Sequence, residues 1–179
     1  MSSADKVVYL MRGLPSCGKS HTARRLASNG GLVLETDQFF YSQVGTDPGQ
    51  FDYSANLLPA ARKWNFDRFV EAVAREISPI IVDRGNGRNP ETRQYALHAV
   101  ERGYLVQLKE PESEWWQEIR VLLKYKQVTR KILYQWADRL AEISRQTHRV
   151  PATTIRDWMD KWKHDLTVEE ILQYKSDRS

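Results

Sequence analysis

The sequence predicts an α/β fold: a three-layer sandwich with a central, mostly parallel sheet and a helical region toward the C-terminus. Two observations carry this expectation. Short apolar runs at Val7–Met11, Leu32–Glu35, Ile80–Asp83 and Tyr104–Lys109 alternate with stretches of helical character. Strands separated by helices are joined by right-handed crossovers, which gives a parallel sheet covered on both faces. From Glu114 onward the pattern is helical throughout. At 179 residues the chain has room for one sizeable core and little more. It therefore reads as a single domain over residues 1–179, with the helical region at about 112–163.

Each element has a local reason. Val7 to Met11 is continuously apolar and ends at a Gly-rich turn, as strands buried on both faces do. Ser20 to Ser28 places Ala23, Leu26 and Ala27 on one helical face, and Asn29-Gly30-Gly31 stops it. Leu32 to Glu35 is the second strand. Residues 41–59, rich in Gly, Asp, Pro, Ser and Gln, read as a long surface loop. Trp64, Phe69, Val70, Val73 and Ile77 mark the apolar face of a helix from Pro59 to Ile77, ended by Pro79. After the third strand, Asn89-Pro90-Glu91 opens a helix to Arg102, with Gly103 at its C-terminal cap. Tyr104 to Lys109 is the fourth strand. Helices follow at 115–146, broken somewhere within, and at 151–163, and an amphipathic piece runs from Thr167 to Tyr174.

Composition excludes several classes. Lys and Arg number 27 against 23 Asp and Glu, a net charge of +4, so a polybasic nucleic-acid tail is absent. Hydrophobic residues at 41% and charged residues at 28% are ordinary globular usage. Cys17 is the sole cysteine and forms neither an internal disulfide nor a cysteine zinc site. No apolar run approaches the roughly 18 residues of a membrane helix, and the N-terminus lacks a signal-peptide core. A cytoplasmic protein with no membrane partner is expected. Charge is nevertheless uneven: Arg120, Lys124, Lys126, Arg130, Lys131, Arg139, Arg145 and Arg149 face only Asp138 and Glu142 within residues 120–149. That excess suits a phosphate-facing segment or a nucleic-acid groove. Tyr125, Tyr134 and Trp136 are expected in the core with Leu122, Leu123, Val128, Ile132, Leu133, Leu140 and Ile143, rather than as base-stacking platforms.

Gly13-Leu14-Pro15-Ser16-Cys17-Gly18-Lys19-Ser20 matches G-x-x-x-x-G-K-[ST] at every specified position, between a predicted strand and a predicted helix. Gly13 and Gly18 let the backbone curl so that successive N–H groups converge on phosphate oxygens. The helix starting near Lys19 adds its positive end. Lys19 is expected to reach the β- and γ-phosphates and Ser20 to ligate Mg²⁺. ATP and Mg²⁺ are thus the expected ligands, with Gly13, Pro15, Ser16, Cys17, Gly18, Lys19, Ser20 and His21 as the nucleotide-binding set. Cys17 lies near a helix N-terminus that lowers thiol pKa values, which is the case for an alkylation-sensitive thiol; the preferred expectation is a small residue tolerated in the loop.

Sheets of this kind bind ligands beyond the carboxyl ends of their strands. Asp37 follows the second strand and Asp83 ends the third. An Asp at the first position can take a proton from an attacking hydroxyl, and one at the second can serve Mg²⁺ or orient the acceptor. The plain alternative is a helix cap at Asp37 and a turn former at Asp83.

These blocks resemble the P-loop polynucleotide kinases, which phosphorylate 5′-hydroxyl ends of RNA or DNA. They are especially similar to the ATP-binding domain that accompanies a Smr nuclease, and to the N-terminal P-loop domain of myelin cyclic-nucleotide phosphodiesterase. The resemblance runs from about Val8 to Lys163. It rests on Arg12-Gly13-Leu14-Pro15 with Gly18-Lys19-Ser20, on Thr36-Asp37-Gln38-Phe39-Phe40, and on Ser78-Pro79-Ile80-Ile81-Val82-Asp83 with Asn86. The last block is Glu110-Pro111 with Trp115, then Arg145, His148, Arg149 and Val150-Pro151. The resemblance implies a P-loop NTPase sandwich in which the C-terminal helices form a lid. It implies that Asp37 is the general base, that Asp83 and Asn86 serve the substrate side, and that Arg145 and Arg149 embrace the triphosphate. Many of these kinases carry an Arg three residues after the base, for the acceptor's 3′-side phosphate; Phe40 stands there in this sequence. A small-molecule kinase, with Phe51 and Tyr53 in its pocket, and a nucleotide-gated module that docks RNA or protein are the alternatives. His21 and His148 flank site positions without a second metal-type ligand nearby, and His98 and His164 are expected to be ordinary surface or helix residues.

Overall fold

The computed structural model describes residues 5–28, 30–42, 55–84, 89–147 and 149–174. In chain order these form β1 (Val7–Met11), α1 (Lys19–Leu26), β2 (Leu32–Glu35), α2 (Gln38–Ser42), α3 (Leu58–Ala74), β3 (Ile80–Asp83), α4 (Asn89–Glu101) and β4 (Leu105–Lys109). Four helices follow: α5 (Glu114–Lys124), α6 (Lys126–Ser144), α7 (Ala152–Asp160) and α8 (Val168–Gln173). The strands pair in parallel in the order β2-β3-β1-β4, with helices on both sides of the sheet. Leu10 stands beside Val82 on β3 and Leu108 on β4, and Glu35 beside Asp83. β1 leads to β2 past the place of β3, and β3 leads to β4 past β1. The strand order therefore reverses between β1 and β3, and a crevice opens there at the carboxyl ends.

Strand alternation sorts the core. Val8, Leu10, Leu34, Ile80 and Val82 face α3, α4 and α8, meeting Phe69, Tyr95, Ala96, Ala99 and Ile171. Met11 and Ile81 turn the other way, onto Ala23 of α1. A further cluster joins Leu14 and Cys17, between β1 and α1, to Trp116, Ile119, Leu133, Leu140, Ile155 and Trp162 of the C-terminal helices. The phosphate-loop segment is thus part of the apolar core of the helical region.

Several expectations are corrected. The stretch 41–59 is not loop throughout: α2 runs to Ser42 and helical structure resumes at Ala55. Phe51 and Tyr53 lie outside the described residues. The buried face of α3 is Ala61, Asn65, Phe69, Ala72 and Val73, one step around from the expected Trp64 and Val70. Ala72 packs in one cluster with Tyr95 and the sheet, while Trp64 is half-buried and meets Phe39 edge-on. The helical break falls at Tyr125, between α5 and α6. α6 buries Leu133, Ala137, Leu140 and Ser144, spaced three to four apart, so Val128 is 86% exposed and Ile132 and Ile143 face outward. Tyr134 and Trp136 are half-buried against the helical core, whereas Tyr125 is exposed beside Lys124. His98 packs edge-on against Phe66 and Phe69.

Candidate functional site

The loop after β1 has the backbone its sequence requires. Gly18 has φ 92°, a left-handed conformation that glycine adopts without a Cβ penalty. Gly13 is held close: a Cβ there would lie 2.9 Å from Pro111 and 3.1 Å from the Lys19 side chain. Ser16 also takes a positive φ, 62°, costly for a non-glycine residue and sustained by its neighbours. The Trp115 indole N–H donates to its carbonyl at 3.0 Å, and its own Oγ donates to the Leu140 carbonyl at 3.3 Å.

Asp83 ends β3 on the adjacent strand, and Ser20 lies in the first turn of α1. Ser20 Oγ donates to Asp83 Oδ2 at 3.1 Å. This bond crosses the crevice where the strand order reverses. The two residues were singled out from segments 63 positions apart, and the fold brings them together. Two half-buried hard oxygens at the phosphate loop fit Mg²⁺, which takes one or two protein oxygens and completes its octahedron with water and phosphate. Lys19 begins α1 beside Ser20, and His21 is exposed on the next position. Pro15 is buried. Among the described residues, no group of three or more His, Cys, Asp or Glu is arranged to hold a metal.

Asp37 occupies the turn between β2 and α2, half-buried, with its carbonyl accepting from the Phe40 N–H at 3.1 Å. Phe40 is 1% exposed and lies in the interior against Phe39. Its position has therefore become a packing position. Asn86 and His148 lie outside the described residues.

Cys17 follows the preferred expectation, a small residue tolerated in the loop, and not that of a sensitised thiol. It is 1% exposed among Leu14, Trp116 and Leu140. Burial pushes its pKa up to about 12, outweighing the opposing influence of the Lys19 charge. The neutral thiol is a small apolar filler.

Arg145 is the cap of α6, exposed and paired with Glu142 at 3.3 Å. Arg149 lies in the following turn with φ 51°, and its N–H closes the helix on the Ser144 carbonyl at 2.7 Å. The buried Ser144 hydroxyl accepts from the Val150 N–H at 3.0 Å and so fixes the turn. Both arginines line a cleft of about 610 Å³ that also receives Asp138 and Glu142. Neither makes a hydrogen bond or ion pair to the phosphate loop among the described residues. Of the other basic residues in 120–149, Arg120 pairs with Glu110, Arg130 with Asp160, and Lys126 donates to the carbonyls of Asp160 and Trp162. Much of the local positive charge is thus engaged inside the helical region.

Residues not singled out from sequence also shape the site. Ser113 caps α5 and bonds the Cys17 carbonyl. The Thr22 hydroxyl accepts from the Glu112 N–H at 3.1 Å. Arg12 is 2% exposed, stacks 4.2 Å from the Trp162 ring and donates to the Lys163 carbonyl at 2.7 Å. Burial lowers its pKa. The available signal at Ser113 was a capping residue directly before a helical run.

Comparison with known proteins agrees with this geometry. The AAA domain family matches residues 8–160. Human NEDD4-binding protein 2 is 38% identical over 112 residues, which is 62% of this chain and 6% of that protein. The chain thus corresponds to a small fraction of the length of that relative. With the phosphate loop, the parallel sheet and the matched span in agreement, the chain belongs to the AAA domain family of P-loop nucleotide-binding proteins.

Proposed function

We propose that this protein is an ATP- and Mg²⁺-dependent phosphotransferase that moves the γ-phosphate to a 5′-hydroxyl end of RNA or DNA. The observation that carries the reading is the Ser20–Asp83 hydrogen bond, 3.1 Å across the crevice at the phosphate loop. It supports a site for a metal-bound triphosphate, and Asp37 follows β2, the strand paired with β3, where we assign it to the acceptor.

In the proposed reaction Asp37 takes the proton of the acceptor hydroxyl as its oxygen attacks the γ-phosphorus in line, and ADP leaves. Backbone N–H groups from Gly13 to Lys19 hold the phosphates, and Lys19 meets the charge spread over the γ-oxygens. Ser20 and Asp83 would hold Mg²⁺, which when bound would supply positive charge to the phosphates. Asp83 and Asn86 serve the acceptor side, and Arg145 and Arg149 close over the triphosphate as the lid. In enzymes of this class an arginine meeting transition-state charge is worth about 10³–10⁵ in rate. Supporting the reading, both arginines line one cleft at the turn that Ser144 fixes, on the helix to which Ser16 bonds.

The test is transfer from γ-labelled ATP to 5′-hydroxyl oligonucleotides offered together with a pool of nucleosides, sugars and aminoglycosides. Label on the oligonucleotide is expected. Label on a metabolite replaces the reading with a small-molecule kinase. Tight ATP binding with transfer to neither replaces it with a nucleotide-gated binding module.

A further inference from the structure

The positive charge of residues 120–149 divides into a part the chain uses and a part it leaves outside. Arg120, Lys126, Arg130 and Arg145 have partners within the helical region, and Arg149 lines the cleft. Lys124, Lys131 and Arg139 are exposed and form no ion pair among the described residues. Their ring neighbours are uncharged: Lys124 lies 5.6 Å from the Tyr125 ring and Arg139 4.9 Å from that of Trp136. Of the nearby carboxylates, Asp138 and Glu142 are held by Arg156 and Arg145, which leaves exposed Glu118 at the margin.

Large apolar side chains stand among these cations. Val121 and Tyr125, one turn apart, and Val128 and Ile132, one turn further on, are all exposed. Tyr125 ends α5 and precedes α6, so the two pairs meet at the corner of the helices. Along α6, Val128, Ile132, Gln135 and Arg139 fall within about 60° of one another around the axis. That side is turned away from the buried Leu133, Ala137, Leu140 and Ser144. A contiguous apolar surface rimmed by charge marks a site that something covers.

The cations select what covers it. A second copy docked face to face would set Lys124, Lys131 and Arg139 against their own counterparts, and like charges oppose that contact. A nucleic-acid backbone would neutralise the cations and leave Val128 and Ile132 in water. A bilayer would take both but would strip water from the Gln135 amide and the Glu118 carboxylate. A peptide supplies carboxylates for the cations, apolar side chains for the aliphatics and polar groups for the glutamine.

We infer that the outer corner of α5 and α6 docks a partner protein through an acidic segment that carries apolar side chains among its Asp and Glu residues. The inference is independent of the phosphotransferase reading. Val128 and Arg145 are separated by about 25 Å along α6, so an occupied corner leaves the cleft accessible.

The experiment selects displayed random peptides of about 16 residues, roughly four helical turns, on the full chain. Enriched peptides are expected to carry several Asp or Glu among apolar residues. Their affinity, read by fluorescence anisotropy, should fall roughly 10-fold or more in Val128→Ser with Ile132→Ser. Lys124→Glu with Lys131→Glu should weaken binding comparably and remove most of its dependence on salt. All four positions are exposed, so the urea midpoint and ATP affinity should match wild type in both double variants. Failure to enrich any peptide, enrichment without acidic bias, or binding that survives both double variants overturns the inference. So does wild-type binding to phosphatidylcholine–phosphatidylserine vesicles, or a dimer in sedimentation, that either double variant abolishes; the corner then belongs to a bilayer or to a second copy.

Discussion

The Ser113 hydroxyl donates to the Cys17 carbonyl at 2.7 Å and accepts from the Trp116 N–H at 3.2 Å. One side chain thus starts α5 and fastens the phosphate loop to it. Ser113→Ala removes a helix cap, worth about 1 kcal/mol, together with the fastening. Urea unfolding is expected to show a lower midpoint at unchanged m-value, and ATP affinity is expected to fall with it. Ser113→Thr should keep both. Lowered stability with unaltered ATP affinity would separate the cap from the loop.

Cys17 should resist alkylation. Its pKa is raised from an ordinary 9.0 to about 12, so the native thiol stays protonated through neutral and mildly basic pH. Iodoacetamide labelling of folded protein is expected to stay far slower than that of the urea-unfolded chain throughout about pH 7 to 9. The linkage has a definite sign. A folded pKa above the unfolded one contributes stability that is present below 9.0 and is lost as pH rises toward about 12. Cys17→Ser, with a comparable shape but a more strongly polar hydroxyl, is expected to be destabilised without that alkaline loss.

Asp37→Ala is expected to abolish transfer and leave ATP affinity nearly unchanged. In the proposed reaction the base acts on the acceptor proton, while the phosphates would be held by the loop after β1, on the far side of β3 from β2. Single-turnover transfer and ATP titration, measured on the same preparation, check the two halves. Full activity in the variant removes Asp37 from the mechanism.

Asp83→Ala and Ser20→Ala should act alike. Each is expected to reduce the gain in ATP affinity on adding Mg²⁺, read as the ratio of dissociation constants with Mg²⁺ and with EDTA. Stability should change by only about 1 kcal/mol, the usual net worth of one hydrogen bond. A Mg²⁺ response equal to wild type in both variants would remove the pair from metal binding.

Much of the frame was legible because its signals are local. The four strands are short β-rich runs between glycine and proline stops, and the phosphate loop is a contiguous pattern that stands as expected between β1 and α1. Helix faces were less legible. Which side of α6 turns inward depends on α5 and α7, so Val128 and Ile132, apolar in sequence, end outside, while the polar Ser144 ends inside as a turn-fixing hydroxyl. The state of the thiol is only partly legible for a similar reason. Its proximity to a helix start is written in the sequence, but its desolvation by Trp116 and Leu140 is a tertiary fact.

The stacking of Arg12 on Trp162, with its bond to the Lys163 carbonyl, spans 151 positions of chain. It joins the root of the phosphate loop to a segment made 151 positions later. Contacts of such long sequence separation form late, because the closure entropy must be met before they contribute. On the ribosome, then, the loop waits for the segment at Trp162 and Lys163 before its foundation is in place. Ligand-binding competence should accordingly appear as a late event in synthesis and refolding, after the sheet has paired.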